Sequence, residues 1–243
     1  MKKAIILNAG EGRRLRPLTK DKPKCLLRLN GMTILMHQVT NLAESGIEEI
    51  VFVLGYYSDM ITKELEKECF DLSFRYIYNP FYHETNTVYS LWLAKDELTN
   101  DLLYLNGDVL FHKEVIKRIM SYKRETCLAV DKKVVGKEEV KVCIYDNIIK
   151  QIGKEINVRK ANAEFVGIAK FSQRFNERLS KKLEEVVEEG RVNEFFEVAV
   201  ERILGECKVI AVDVSDLPCI EIDTYRDLKK ARKIYLKMTE VQV

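Results

Sequence analysis

The stretch AIILNAGEGRRLRPLT, residues 4–19, followed by Pro23-Lys24, decides how the rest of the chain is interpreted. Residues 4–8 form a short apolar run that predicts a buried strand. Gly10 and Gly12 come next, and glycine lets the backbone turn sharply and come close to a ligand. Successive free N–H groups in such a turn cradle phosphate oxygens. Because open α/β sheets bind ligands at the carboxyl ends of their strands, the stretch predicts a phosphate-binding loop.

The loop differs from the two common phosphate loops. A dinucleotide fingerprint needs a third glycine where Leu15 stands, and a Walker A loop needs Gly-Lys-Ser/Thr. An alternative is a basic surface loop that is solvated or contacts nucleic acid. Its basic residues would be Arg13, Arg14, Arg16, Lys20, Lys22, Lys24 and Arg28. That alternative gives no role to the regularly placed glycines and prolines.

Composition excludes several classes of protein. The 243 residues are 47% hydrophobic, which is enough for a sizeable core, and the net charge of +2 creates no field that draws the chain to nucleic acid. No apolar run approaches the ~20 residues of a membrane span, so no stable membrane insertion is expected. Six scattered cysteines without a CxxC pair predict mostly buried, reduced thiols in a cytoplasmic protein rather than a zinc site.

Strand and helix patterns alternate along the front of the chain. Strands are predicted at residues 4–8, 49–54, 74–78, 102–105, 140–145, 148–152, 165–171 and 208–212. Helices are predicted at 33–45, 58–69 with Ser58 as its N-cap, 87–97, 112–122, 173–189, 193–204 and 224–238. The alternation predicts an α/β fold with a parallel sheet covered on both faces. After Cys127 the pattern changes to a hairpin that turns at Asp146-Asn147.

The loop resembles the opening of the sugar-phosphate nucleotidyltransferase family, L-A-A-G-x-G-T-R-L-x-P-L-T followed by P-K. Asn8 and Arg13 depart from that pattern. The resemblance implies a Rossmann-like nucleotidyltransferase fold with a mostly parallel central sheet flanked by helices and a small acceptor-binding subdomain. It also implies one domain over residues 1–243, with a nucleotide-binding half (1–125) and an acceptor-binding half (126–243). The implied nucleotide-binding residues are Leu7, Asn8, Ala9, Gly10, Glu11, Gly12, Arg13, Asn86, Ser90 and Gly107.

The family's chemistry implies attack of an acceptor phosphate oxygen on the α-phosphorus, which needs alignment and charge neutralisation rather than a general base. Lys24 would contact the α-phosphate and Arg14 the β- and γ-phosphates. Asp108 and Asp223 match the family's metal ligands and would hold Mg²⁺. Each aspartate has an alternative: Asp108 as a turn residue after Asn-Gly, and Asp223 as part of a helix N-cap.

The segment Asn86-Thr-Val-Tyr-Ser-Leu91 resembles the microbial phosphocholine cytidylyltransferase branch, which also includes inositol-1-phosphate cytidylyltransferases, and implies CTP as donor. Asn86 and Ser90 would lie near the base or ribose, or else cap and pack a helix. The implied acceptor-binding residues are Lys154, Glu164, Gly167, Phe196 and Glu197. Lys154 could instead be a solvated hairpin lysine, and Phe196 could be a core residue.

Three functions therefore stay open. The first is a Mg²⁺-dependent transfer of CMP from CTP to a small phosphorylated alcohol such as phosphocholine or inositol-1-phosphate, releasing pyrophosphate. The second is a hexose-1-phosphate uridylyl- or thymidylyltransferase. The third is a nucleotide-sensing subunit with a degenerate site, against which the intact loop and both aspartates argue. The sequence leaves the acceptor open, and also whether the chain forms a homo-oligomer.

Overall fold

A computed structural model describes residues 1–68 and 70–240 of the chain. Its strands are β1 (Lys3–Asn8), β2 (Arg28–Leu29), β3 (Met32–Thr33), β4 (Glu49–Leu54), β5 (Ser73–Tyr78), β6 (Leu102–Asn106), β7 (Val109–Phe111), β8 (Thr126–Asp131), β9 (Lys141–Tyr145), β10 (Ile148–Gly153), β11 (Ala163–Phe171), β12 (Val209–Asp213) and β13 (Cys219–Glu221). Its α-helices are α1 (Ile34–Glu44), α2 (Ser58–Leu65), α3 (Thr87–Leu93), α4 (Lys113–Met120), α5 (Gln173–Glu188), α6 (Glu197–Glu201) and α7 (Tyr225–Glu240). Short 3₁₀ helices cover Arg13–Leu15, Lys24–Leu26 and Lys95–Glu97.

One nine-stranded sheet runs through the molecule in the order β5-β4-β1-β6-β11-β8-β12-β10-β9. The first four strands are parallel, as predicted. Beyond β6 the sheet is mainly antiparallel, with only β8 and β12 parallel, so the mostly parallel arrangement is limited to the front half. A two-residue hairpin between β9 and β10 forces an antiparallel pair. Asp146 and Asn147 both adopt positive φ there, as the twist of tight hairpins favours.

Alternation along β1 shows how the sheet is covered on both faces. Ile5 and Leu7 pack into the apolar layer beneath α3 and α5, whereas Ala4 and Ile6 pack into the layer beneath α1 and α4. Successive side chains of a strand point to opposite faces, so a strand buried on both sides reads as a continuous apolar run.

Three predicted helices are shorter than expected. The helix predicted at 87–97 ends as an α-helix at Leu93, and a 3₁₀ helix follows at Lys95–Glu97. The helix predicted at 193–204 spans only Glu197–Glu201, because the Val192 and Glu194 carbonyls accept hydrogen bonds from the N–H groups of Asn86 and Val88 instead of closing helical turns. Helix α2 ends at Leu65, and its N-cap is Tyr57 rather than Ser58.

The predicted reduced state of the thiols is consistent with the five described cysteines, which are free. Cys25 and Cys127 are buried, but Cys143, Cys207 and Cys219 are only half-buried, so burial was overestimated. Cys69, where a helix was predicted to end, lies outside the described residues. In the described part of the chain, no helix is both long and apolar enough to cross a membrane.

Candidate active site

A cavity of about 350 Å³ opens at the carboxyl ends of β1 and β6, beneath the N-terminus of α3. Its volume lies within the range of small-molecule sites. Most of the predicted residues line it, namely Leu7, Asn8, Ala9, Gly10, Gly12, Arg13, Arg14, Lys24, Asn86, Ser90, Gly107, Asp108, Lys154, Glu197 and Asp223. The topology thus collects, in one place, residues that are up to 216 positions apart in the chain (223 − 7).

The loop after β1 is folded tightly against Lys24. Gly12 has a φ of 59°, and a Cβ there would lie 3.1 Å from the Cβ of Lys24. The Thr19 hydroxyl donates to the Gly12 carbonyl at 2.8 Å and fixes the turn. Glycine at this position therefore serves both the left-handed backbone and the close approach of the lysine.

Glu11 does not line the cavity, contrary to the prediction for this loop. Its carboxylate instead accepts hydrogen bonds from the side chains of Arg13 and Arg16. A carboxylate facing the cavity would repel the phosphates that the loop is suited to bind, so Glu11 braces the loop from outside.

A small two-stranded sheet brings the two aspartates together. Strands β7 and β13 pair antiparallel, with Glu221 opposite Val109, and the Ile222 N–H donates to the Asp108 carbonyl at 3.1 Å. Asp108 and Asp223, which flank this short ladder, therefore face the same space. Neither β7 nor β13 was predicted from the sequence, since each is only three residues long.

Lys24 lies between these two carboxylates. Its Nζ is 2.5 Å from Asp108 Oδ2 and 2.9 Å from Asp223 Oδ1, and Arg14 Nη2 is 2.8 Å from Asp223 Oδ2. Burial by itself lowers the pKa of Lys24, but the two carboxylates outweigh it and hold that pKa well above its usual value. The ammonium is therefore fully charged throughout the physiological pH range.

A third carboxylate, Glu221, lies beside the pair. The hydroxyl of Tyr104 donates to Asn106 Oδ1 at 2.7 Å, and Asn106 Nδ2 donates to Glu221 Oε1 at 2.7 Å. Burial and the negative charge of Asp108 raise the pKa of Glu221 above its usual range. Its hydrogen bond from Asn106 keeps it oriented toward the aspartates.

The donor set fits a divalent cation that also binds a polyphosphate. Asp108 Oδ1 is buried and has no hydrogen-bond partner among the described residues. Within residues 1–68 and 70–240 there is no group of three or more His, Cys, Asp or Glu side chains arranged to hold a metal alone. Two carboxylates suffice for Mg²⁺ when substrate phosphates and water complete its coordination.

Asn86 and Ser90, at the start of α3, both make hydrogen bonds within the protein and line the cavity. Asn86 Oδ1 accepts from the Thr87 N–H at 2.8 Å and so caps α3, and Ser90 Oγ accepts from Asn79 Nδ2 at 3.1 Å. Both side chains line the cavity as well, so the capping and binding interpretations are compatible. A Cβ on Gly107 would lie 1.9 Å from Asn8 Nδ2, so a larger residue cannot follow Asn106 while Asn8 is present.

Lys154, Phe195 and Glu197 also line the cavity. Lys154 Nζ lies 4.0 Å from the ring centroid of Phe195, a cation–π contact. Glu197 is only 3% exposed, and its Oε2 has no hydrogen-bond partner in the described part of the chain. Burial raises the pKa of Glu197 to about 7, although its own backbone N–H and nearby Lys154 oppose that rise.

Three residues predicted for acceptor binding lie elsewhere. Phe196 is fully buried, with its ring centroid 4.4 Å from that of Tyr104, because it is the N-cap residue of α6 and its side chain is turned into the core. Glu164 pairs with Lys133 Nζ at 2.5 Å, outside the cavity. Gly167 has a φ of 74°, and a Cβ there would lie 2.8 Å from Asn106 Nδ2, so its small size makes room for a cavity-lining side chain rather than for a ligand.

Several cavity residues were not predicted, among them Tyr82, Asn106, Glu138, Phe195 and Glu221. Glu221 could have been found from its spacing, because it lies two positions before Asp223 in an extended segment and so shares a face with it. Phe195 directly precedes Phe196, the residue that was predicted to bind the acceptor. Tyr82 and Glu138 carry no local signal, because they reach the cavity from loops.

Comparison with known proteins identifies the family. A family model described as "Nucleotidyl transferase" matches residues 3–139. CTP:phosphoglutamine cytidylyltransferase of Campylobacter jejuni is 33% identical over 71% of this chain and 74% of its own length. Choline-phosphate cytidylyltransferase of Streptococcus pneumoniae is 28% identical over 96% of this chain and 97% of its own. The structure of inositol-1-phosphate CTP transferase from T. maritima shares the fold, with a TM-score of 0.81 at 23% identity, covering 99% of this chain and 97% of that one.

The fold and family predicted from the loop after β1 are thereby confirmed. The matched residues begin at β1 and include the glycine loop, Lys24 and Asp108. The family model covers more than half of the chain, and the Campylobacter jejuni relative is 33% identical over 74% of its own length. This protein is therefore a nucleotidyltransferase that belongs to the Nucleotidyl transferase family.

Proposed function

We propose that this enzyme transfers CMP from CTP to a small phosphorylated acceptor that carries a hydrogen-bond-donating or cationic group, with Mg²⁺ as cofactor and pyrophosphate as product. One observation supports this function most directly. A single cavity is lined by Lys24, Arg14 and two aspartates, and also by Lys154, Phe195 and Glu197. Cations suited to two separate phosphate groups thus line the same cavity.

The choice of CTP is supported by the relatives. Those of Campylobacter jejuni and Streptococcus pneumoniae are both named as cytidylyltransferases. Asn86 and Ser90 line the cavity at the start of α3 and are the candidates for contact with the pyrimidine nucleotide. We expect the reaction to occur in the cytoplasm, because the five described cysteines are free thiols, as is typical of reducing compartments.

The proposed step is an in-line displacement. An acceptor phosphate oxygen forms a bond to the α-phosphorus of CTP, and the bond from that phosphorus to the bridging oxygen of pyrophosphate breaks. The attacking oxygen is already an anion, so no proton has to be removed. Lys24 neutralises charge on the α-phosphate, Arg14 binds the leaving pyrophosphate, and Lys154 holds the acceptor phosphate in line.

Asp108 and Asp223 would hold the Mg²⁺ ion, which when bound neutralises phosphate charge as a Lewis acid. The hydrogen bond between Asn106 and Glu221 would help to hold the segments that carry Asp108 and Asp223 in position. The loop of Gly10 and Gly12 offers backbone N–H groups close to the phosphates, since neither glycine has a side chain to hinder the approach.

The acceptor side favours a group that donates hydrogen bonds. Among the residues that the structure describes, one buried oxygen of the Glu197 carboxylate has no hydrogen-bond partner, and Phe195 lines the same cavity. An ammonium, a quaternary amine or an amide would satisfy that oxygen or the ring. The names of the two relatives, which specify a choline phosphate and a phosphoglutamine, are consistent with such acceptors.

The test is a pyrophosphate-release assay with Mg²⁺, each of the four NTPs and a panel of acceptors. The panel contains phosphocholine, phosphoglutamine, aminoethylphosphonate, inositol-1-phosphate and glucose-1-phosphate. We expect release with CTP and a nitrogen-bearing acceptor. Release only with UTP or dTTP and glucose-1-phosphate would contradict the proposed substrates, and no release with any pair would contradict the proposed activity.

A variant pair tests the assigned chemistry in the same assay. We expect Lys24→Ala to lower kcat by about 10²–10³-fold, because it removes a charge at the reacting phosphate. Lys181 is exposed on α5, and Lys181→Ala serves as the matched control with unchanged kcat. Equal activity of the two variants would exclude Lys24 from the reaction.

A further inference from the structure

Lys24 makes two contacts that a simple phosphate-binding lysine does not need. Its ammonium lies within hydrogen-bond distance of both Asp108, at 2.5 Å, and Asp223, at 2.9 Å. These are the two carboxylates best suited to hold the divalent metal. The ammonium thus already lies between the two carboxylates that would hold the metal.

Burial makes this bridge energetically significant. The side chains of Lys24, Asp108 and Asp223 are 17%, 21% and 29% exposed. Two carboxylates so close together and so poorly hydrated repel each other unless a cation lies between them. Arg14 contributes at one edge only, since it contacts Asp223 alone at 2.8 Å. Lys24 is therefore the main cation that keeps the pair together in the free protein.

A divalent cation and the Lys24 ammonium would compete for the space between these two carboxylates. Two positive charges held there side by side would repel each other strongly. A metal that binds in the absence of nucleotide must therefore displace Lys24 from both aspartates, without the phosphate charge that a bound nucleotide would offer the ammonium.

We propose that Lys24 is an exchangeable internal cation that occupies the metal position between Asp108 and Asp223, and that a divalent metal binds well only when a nucleotide triphosphate receives the ammonium. This proposal rests on the proposed function in one respect only: the α-phosphate of the nucleotide is taken as the group that Lys24 contacts after it leaves the aspartates. Metal binding and nucleotide binding are then positively coupled. The nucleotide phosphate binds the ammonium that leaves the aspartates, and the metal binds the aspartates that the ammonium has left.

The inference makes an unusual prediction for a substitution that stops catalysis. Removing the ammonium with Lys24→Met should tighten binding of free Mn²⁺, used as the probe, by on the order of tenfold or more in the absence of nucleotide. The measurement is a titration of Mn²⁺ against each protein, followed by the EPR signal of the unbound ion. Lys24→Gln, which is shorter but keeps a hydrogen-bond donor without the charge, should show the same gain.

A thermal readout in the same samples reports folding directly. Without metal, Lys24→Met should melt below the wild type, because the aspartates lose their counter-cation. Millimolar Mn²⁺ should raise its melting temperature more than that of the wild type, since a ligand stabilises only the form that binds it. Lys181→Met is the control with wild-type behaviour, and Asp108→Asn added to Lys24→Met should abolish the gain.

Two outcomes would overturn the inference. One is that folded Lys24→Met and Lys24→Gln bind Mn²⁺ no more tightly than the wild type. The other is that Asp108→Asn leaves the gain intact, which would locate the metal elsewhere. Neither measurement involves turnover, so failure of the proposed CTP-dependent transfer would be seen separately in the pyrophosphate assay.

Discussion

Glu197 combines burial with an incompletely satisfied carboxylate. It begins α6, is 3% exposed, and its Oε2 lacks a partner in the described part of the chain. Such a group lowers the stability of the folded protein when it is charged, and is retained where a ligand needs it. The same residue should therefore weaken the fold and strengthen acceptor binding.

The pH dependence of unfolding tests this. Burial raises the pKa of Glu197 to about 7, above its ordinary value. The cost to the folded state is therefore absent below the unfolded pKa and grows as pH rises through about 7. Between pH 5 and pH 8, the wild type should lose about 1–3 kcal/mol of unfolding free energy that Glu197→Gln retains.

Urea unfolding at both pH values measures that difference. Glu177→Gln, an exposed change on α5, is the control and should follow the wild type. A pH dependence identical in all three proteins would mean that Glu197 ionises normally.

At the scale of elements, the segment before α6 is held by α3 rather than by its own helical hydrogen bonds. The N–H groups of Asn86 and Val88 donate to the carbonyls of Val192 and Glu194, and the Phe196 N–H donates to Thr87 Oγ1 at 2.9 Å. The apolar spacing of this region predicted a longer helix. The prediction was too long because spacing along the sequence does not reveal such tertiary hydrogen bonds. The consequence is that Phe195 and Glu197 are held close to the start of α3, where Asn86 and Ser90 line the same cavity.

This attachment gives two neighbouring phenylalanines opposite roles. Phe196 packs against Tyr104 and Phe165 in the core, whereas Phe195 lines the cavity beside Lys154. We expect Phe196→Ala to lower the unfolding free energy by about 3–5 kcal/mol, the usual cost of emptying a buried aromatic site. Phe195→Ala should cost about 1 kcal/mol or less and mainly raise the KM for the acceptor.

Each variant is the matched control for the other, with stability measured by urea and KM by pyrophosphate release. Comparable stability losses in both would mean that Phe195 is also a core residue.

At the scale of the molecule, one sheet joins the two predicted halves, residues 1–125 and 126–243. Strand β6 of the front half pairs with β11 of the back half over Leu102–Phe171 to Leu105–Ile168. The apolar layer beneath α3 and α5 also contains residues of both halves, such as Leu91 and Phe175. The predicted boundary therefore crosses a continuous sheet and a continuous core.

We expect a single cooperative unfolding transition. Trp92, the only tryptophan, lies in α3 of the front half and packs against the shared core, so its fluorescence reports that half. Its urea midpoint should coincide with that of far-UV circular dichroism, which reports the whole chain. Separate midpoints would show that the halves are independent domains.

The sequence by itself determined the front half of the fold, the phosphate-binding loop and the family. These features depend on neighbouring residues: the apolar run of β1 and the glycines that follow it are close together in the chain. Lys24, Asp108 and Asp223 could be named from motifs, but not the ionic contacts that join them. Only the tertiary structure decided that Lys24 lies between the two aspartates, that Phe195 rather than Phe196 faces the cavity, and that Glu11 faces away from it. The physical reason is that β7 and β13, and the bonds from α3 to residues 192–196, unite segments about a hundred positions apart, and local patterns carry no information about such pairings.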